Sequence, residues 1–179
     1  MSVAPDFAAP IVGWRTWLVV KGADGLRLGS VVQPTLWEPR RELVGECLDR
    51  RRLRRFRRRK HNRHHAPDFS CSCGIYASRT TELAGQYVFT AEFERRHVVG
   101  RVIGLVSLWG RVLACRRGWR AEFAYPARIY VPLDAEDVRR SSRVEELALS
   151  LADYGVPVEI VTHHGEPDLL QSLASHATA

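Results

Sequence analysis

The residues best equipped for chemistry fall between positions 47 and 74: Cys47, then His61, His64 and His65, then Cys71-Ser72-Cys73-Gly74. Three thiolates and one imidazole make a donor set that zinc takes as a closed tetrahedral site. A Cys-x-Cys pair can chelate one ion only where the backbone turns between the sulfurs, and Gly74 directly after it supplies the freedom for that turn. Pro67 fixes the approach of the chain from the histidines, which offers His65 as a ligand with His64 as its alternative. The sequence therefore predicts a zinc site of Cys47, His65, Cys71 and Cys73. Two other readings stay open: the thiols are small buried hydrophobes, or Cys71 and Cys73 are a redox pair, although a Cys-x-Cys disulfide is strained. If one of the four is not a ligand, water takes the open position and Glu42 or Asp68 can serve as its base, which describes a zinc-dependent hydrolase. Cys115, inside an apolar strand pattern, reads as core, and His97, His163 and His164 read as solvated.

A second signal lies between the proposed ligands. Residues 50–63 carry ten arginines and lysines. Arg51, Arg52, Arg54, Arg55, Arg57, Arg58, Arg59, Lys60 and Arg63 are the candidate nucleic-acid contacts, each able to neutralise a phosphate and release counterions. The formal charge of +7 favours an acidic partner, nucleic acid first and another protein second. Five tryptophans, at 14, 17, 37, 109 and 119, can line a base-stacking surface where they are exposed. Against this, a charge run reads equally as a solvated loop and tryptophans in strands as core. The near-exclusive use of arginine fits a GC-rich genome as well as it fits bidentate phosphate contacts.

Stepping from the ligands to the scaffold, 179 residues with 45% apolar content suffice for one domain with a sizeable core. No run approaches the roughly 18 apolar residues of a membrane span, and residues 1–10 carry no secretory pattern. A cytoplasmic protein with reduced or metal-bound thiols is the expectation. Residues 11–20 and 26–32 read as strands around a Lys-Gly-Ala-Asp-Gly turn, and 41–56 as a helix carrying Cys47 on its apolar side. Residues 75–77 and 86–93 are expected strands. Residues 98–115 and 119–131 form a meander turning at 116–118, with Gly100, Gly104 and Gly110 marking bulges. A capping box, Ser142-x-x-Glu145, opens a helix through Leu147 and Leu151 that stops at Gly155 and Pro157; 156–162 is a last strand.

The organisation expected is a flexible 1–10, a single domain over 11–162 with a basic loop at 50–63, and a loose tail over 163–179 with one helical turn around Leu169 to Leu173. Its fold class is α+β: a small coiled antiparallel β-barrel or two-sheet domain with a C-terminal helix, pinned by zinc. Phosphate-binding, HExxH, dinucleotide and EF-hand signatures are all missing, and Ser107 is spaced too widely from its glycines for a nucleophile elbow. A binding protein rather than an enzyme is expected.

Five blocks also stand out together: Gly13-Trp14-Arg15; Cys71-x-Cys73-Gly74-Ile75-Tyr76-Ala77; Leu108-Trp109-Gly110-x-Val112; Gly118-x-Arg120-Ala121-Glu122 with Tyr125-Pro126; and Tyr154-Gly155-Val156-Pro157-Val158. The set resembles a group of bacterial proteins with no known activity, so the resemblance implies no reaction. The basic run lies outside these blocks. Arg120 and Glu122, two apart on a strand, share a face; beside Arg15 they form a candidate polar pocket.

Overall fold

The computed structural model describes residues 9–47, 64–89 and 97–176. The expectations for the N-terminus before residue 9, for the basic contacts at 51–63, for His61 and for a strand over 90–93 fall outside them.

Alternation of apolar residues produces the long strands. β1 (Ile11–Gly22) turns through Gly25, at φ 111°, into β2 (Gly25–Ser30), and β3 (Leu36–Trp37) extends that edge. β4 (Leu43–Val44) and β5 (Ile75–Ser78) are short, and β6 (Val98–Cys115) and β7 (Gly118–Asp134) form the central hairpin. Three α-helices, α1 (Thr81–Gly85), α2 (Ser141–Leu151) and α3 (Glu166–His176), two 3-10 turns (Val138–Arg140 and Ala152–Tyr154) and the strand β8 (Val158–His163) complete the described elements.

All eight strands belong to one sheet. β1 pairs antiparallel with β6, β6 with β7, and β7 with β5, while β8 runs parallel to β7. The path returns to β1 through a single residue pair, Trp14 with Ser78. A ring closed by one pair is a sheet folded back on itself, so the expected barrel is not formed. The register shifts in β6 between Leu105 and Val106 and between Trp109 and Val112. The second shift contains Gly110, at φ 71°, as its glycine suggested.

Both faces of the sheet are buried. One packs Trp17, Val102, Val106 and Ile129 against Trp37, Tyr154 and α2. The other packs Trp14, Ile103 and Tyr130 against Ala84 of α1 and Leu169 and Leu173 of α3. Coverage on two sides explains why the central strands read as nearly continuous apolar runs.

Three local expectations are corrected. The loose tail is instead α3, because Leu169 and Leu173, one helical turn apart, are both fully buried on the sheet. The strand expected from residue 86 is displaced by α1, whose N-cap is the Thr80 hydroxyl accepting from the Leu83 amide (3.4 Å); residues 86–88 form a turn after it. The helix expected from residue 41 is absent through residue 47. Leu43 and Val44 pair with Ala124 and Phe123 of β7 instead, since that strand has an open edge to satisfy. Among the described residues no helix is long and apolar enough to cross a membrane.

Candidate metal centre

Short-range geometry brings the ligands together. Beyond β4 the Gly45 amide donates to the Glu122 carbonyl (2.6 Å). A Cβ at residue 45 would stand 3.0 Å from the Ala121 carbonyl oxygen and 3.6 Å from the Gly74 Cα. A side chain there would crowd β7, and two residues after this close approach the chain delivers Cys47 beside the turn that precedes β5.

That turn is built from its own polar groups. Asp68 accepts from the amide (2.9 Å) and hydroxyl (2.6 Å) of Ser70, an Asx-type turn, and these bonds hold its carboxyl below the usual carboxylate range. Three successive carbonyls of the Cys-x-Cys segment are then tied down. Arg120 donates through Nη1 to the carbonyls of Cys71 and Cys73, and the Tyr76 hydroxyl donates to that of Ser72 (2.5 Å). Gly74 takes φ 112°, and a side chain there would press on Pro67 at 2.9 Å. With its carbonyls turned toward Arg120 and Tyr76, the segment presents both sulfurs to one point.

Cys47, His64, Cys71 and Cys73 offer ligand atoms that all lie within 4.8 Å of one another. Cys47 Sγ is 3.7 Å from Cys71 Sγ, and Cys73 Sγ is 3.4 Å from His64 Nε2. All four cysteines of the chain are free thiols. Burial, and then the hydrogen bond with Cys71, pushes the Cys73 thiol up to about 11, so a cation is what would release its proton at neutral pH. These four groups could hold a metal ion.

Of the ligands expected from sequence, the three cysteines meet, and the imidazole that joins them is that of His64. His65 is exposed and outside the group, because His64 is the one whose Nε2 reaches Cys73. Cys115 is half-buried at the end of β6, apart from the cluster, its thiol 3.8 Å from the Leu113 carbonyl. His163, expected in solvent, is buried, and its Nδ1 accepts from the Gly165 amide (3.1 Å).

Arg15, Arg120 and Glu122 do not share the pocket expected of them. Arg120 serves the cysteine turn, and Glu122 accepts from the Arg111 amide (3.1 Å) beside the Gly110 bulge. Arg15 donates to the Tyr76 carbonyl and to Ser30 Oγ (3.1 Å) on the far side of β5. Nor do the tryptophans form a stacking surface. Trp14, Trp17 and Trp37 are core, Trp109 stacks on Phe123, and Trp119 lies under the Arg79 guanidinium at 4.5 Å.

The supporting roles of Arg120 and Tyr76 escape sequence reasoning, although both stand in the residue blocks singled out above. Their pairing across β5 and β7 creates the frame. Comparison of the chain with protein-family models, curated proteins and solved structures found no match. The reading of the site therefore rests on its own chemistry.

Proposed function

We propose that this chain is a non-enzymatic, zinc-stabilised binding protein for an acidic partner, with nucleic acid first. The observation that carries it is where the ligands fall in the sequence. Cys47 and His64 flank residues 48–63, which contain the whole basic run, and their side chains meet in one cluster. An ion there would tie both ends of that run to the sheet, removing part of the entropy that a free chain loses on binding.

Zinc suits the donor set. Tetrahedral zinc with thiolate and imidazole ligands has S···S edges of about 3.8 Å and S···N edges of about 3.6 Å, from bond lengths near 2.3 and 2.0 Å. The 3.7 Å and 3.4 Å separations of Cys47–Cys71 and Cys73–His64 match them. Four donors complete that coordination and leave no position for a reacting water, which argues for a structural ion over a hydrolytic one. Asp68, one base considered for hydrolysis, is already engaged with Ser70.

A protein partner is the second reading. Phe69, in the turn between His64 and Cys71, is 87% exposed, and Val32, Leu36, Val44 and Tyr76 are also exposed.

The test is binding of the zinc-loaded full chain to a labelled single-stranded oligonucleotide, followed by anisotropy at rising salt. Affinity should fall by orders of magnitude between about 50 and 200 mM salt if six or more cations contact phosphates. Replacing Arg54, Arg55, Arg57 and Arg58 by serine should abolish binding. No binding to any single or double strand at low salt would overturn the nucleic-acid reading and leave the protein partner.

A further inference from the structure

β1 changes partners along its outer edge. β5 reaches it only at Trp14, and β2 begins to pair at Trp17. Arg15 and Thr16 lie between the two, with no described strand beside them on that edge. A cavity of about 910 Å³ opens at this split, within the size range of small-molecule sites. Its walls are chiefly apolar and aromatic, with Trp14, Val32, Leu36, Tyr76, Tyr87 and Trp119 among them.

Arg15 crosses the split. One end of its guanidinium donates to Tyr76 of β5, the other to Ser30 of β2, and the group lies over the Trp37 ring at 5.0 Å. These bonds are to neutral acceptors. No described carboxylate pairs with Arg15, and its Nε is buried without a hydrogen-bond partner. Glu46 and Arg117 are the other charged residues of the lining, and Arg117 donates to Gln86 (2.9 Å). Desolvation pulls the Arg15 pKa to about 10, yet a guanidinium remains charged at neutral pH. The half-buried guanidinium thus keeps its charge with no paired carboxylate among the described residues, a situation an anion would relieve.

We propose that this cavity is a binding site for an organic anion, whose carboxylate or phosphate head pairs with Arg15 while its apolar body lies along the aromatic walls. The cavity reaches the metal cluster, since Cys71 and Cys73 stand in its wall, but the proposal concerns the Arg15 end and does not depend on the nucleic-acid reading. Two of the guanidinium's five donors are committed to the protein, which leaves others for a planar head group. The pairing places a cation beside a wall that includes Trp14, Val32, Leu36 and Trp119, so the preferred ligand carries one charged end and an apolar body.

Calorimetric titration of the zinc-loaded full chain with octanoate, monooctyl phosphate and octanol tests this. The anions should bind at least about tenfold more tightly than the alcohol, the gain expected of a charge-assisted hydrogen bond. The stronger of the two anions identifies the head group. Arg15→Met should erase that preference while octanol binding persists. Because Arg15 also joins β2 to β5, Val32→Trp provides a second variant that narrows the cavity and leaves the arginine in place; it should weaken all three ligands. Equal affinity for octanoate, phosphate ester and octanol would overturn the proposal. So would an absence of binding by all three, or anion binding unchanged in Val32→Trp.

Discussion

The turn over residues 64–74 and the β6–β7 hairpin touch through Arg120, yet they are held by different physics. In the hairpin, Val102, Ile103, Val106, Leu108, Ala121, Ala124, Ile129 and Tyr130 are all fully buried, and burial is non-directional. Such a core survives the loss of one methyl group with a graded penalty. In the turn only Ala66, Pro67 and Cys73 are buried, while Phe69 points into solvent. Directional contacts hold it instead: four ligand atoms, an Asx turn and two donors aimed at three carbonyls. A region of this kind has little to fall back on when one contact is removed. The comparison teaches that one sheet can carry a self-sufficient part and a part held by directional contacts, which the proposed ion would complete.

The sharpest way to break that comparison is to remove the ion. Chelation, or the double change Cys71→Ser with Cys73→Ser, should eliminate bound zinc and cost about 4 kcal/mol or more, lowering Tm by about 10 °C. Hydrogen exchange should accelerate in residues 64–74 while the β6–β7 amides stay protected. An unchanged melting curve in a strong chelator would show that the turn is as self-sufficient as the hairpin. Striking the other region should give the converse result. Leu173→Ala leaves a void beneath α3 and should cost about 2–5 kcal/mol with zinc content unaltered, read by melting and metal analysis.

Arg120 joins the two regions and should affect both. Arg120→Met leaves the Cys71 and Cys73 carbonyls without their donor, with an expected 10–100-fold loss in zinc affinity and a stability cost of about 1–3 kcal/mol. Competition with a chromogenic chelator and denaturant melts measure the two separately. If stability falls and zinc affinity does not, Arg120 belongs to the core alone.

Tyr154 offers a pH probe confined to the apolar region. Its hydroxyl accepts from the Leu28 amide (2.8 Å) and donates to the Trp37 carbonyl (2.5 Å), and burial pushes its pKa up to about 12 from an ordinary 10. A raised acid pKa means that its stabilisation is complete below pH 10 and is lost as pH climbs through 12. Tyr154→Phe should cost about 1 kcal/mol at neutral pH and flatten that alkaline decline. An identical decline in the variant would assign it to other groups. The smallest effect belongs to His65→Ala, which should leave zinc content and Tm unchanged, whereas His64→Ala should lose the ion. Equal zinc loss in both would return His65 to the ligand set.

Much of the apolar region is legible from residue pattern. The alternation in 11–20, the turn at 116–118 and the helical spacing of Leu147 and Leu151 each point to the element that forms. The misses share a cause. A strand over 43–44 follows from an open edge on β7, and neighbouring residues carry no trace of an edge elsewhere. The spacing of Leu169 and Leu173 suggests one helical turn but not the whole of α3, because Gly165 and a polar C-terminal end weigh against a longer helix until a sheet face lies beneath it. At the site, three sulfurs and a choice of imidazoles could be named from ligand chemistry. Spacing could not choose between adjacent histidines, since their side chains leave the backbone in different directions. Arg120, Tyr76 and Gly45 come from parts of the chain distant from the cysteines or serve only through their backbone.

By itself the sequence determined the supply of parts: soft donors clustered within one segment, a basic run between two of them, and apolar stretches long enough for a two-sided sheet. Those are local properties, set by residue type and short spacing. The tertiary structure alone decided that His64 rather than His65 meets the sulfurs, that Arg120 faces the cysteine turn, and that Arg15 stands in the gap between β2 and β5 with no described carboxylate paired to it. Each is a matter of which strands share an edge and in what register, and a shift of one residue would reverse every side chain along it.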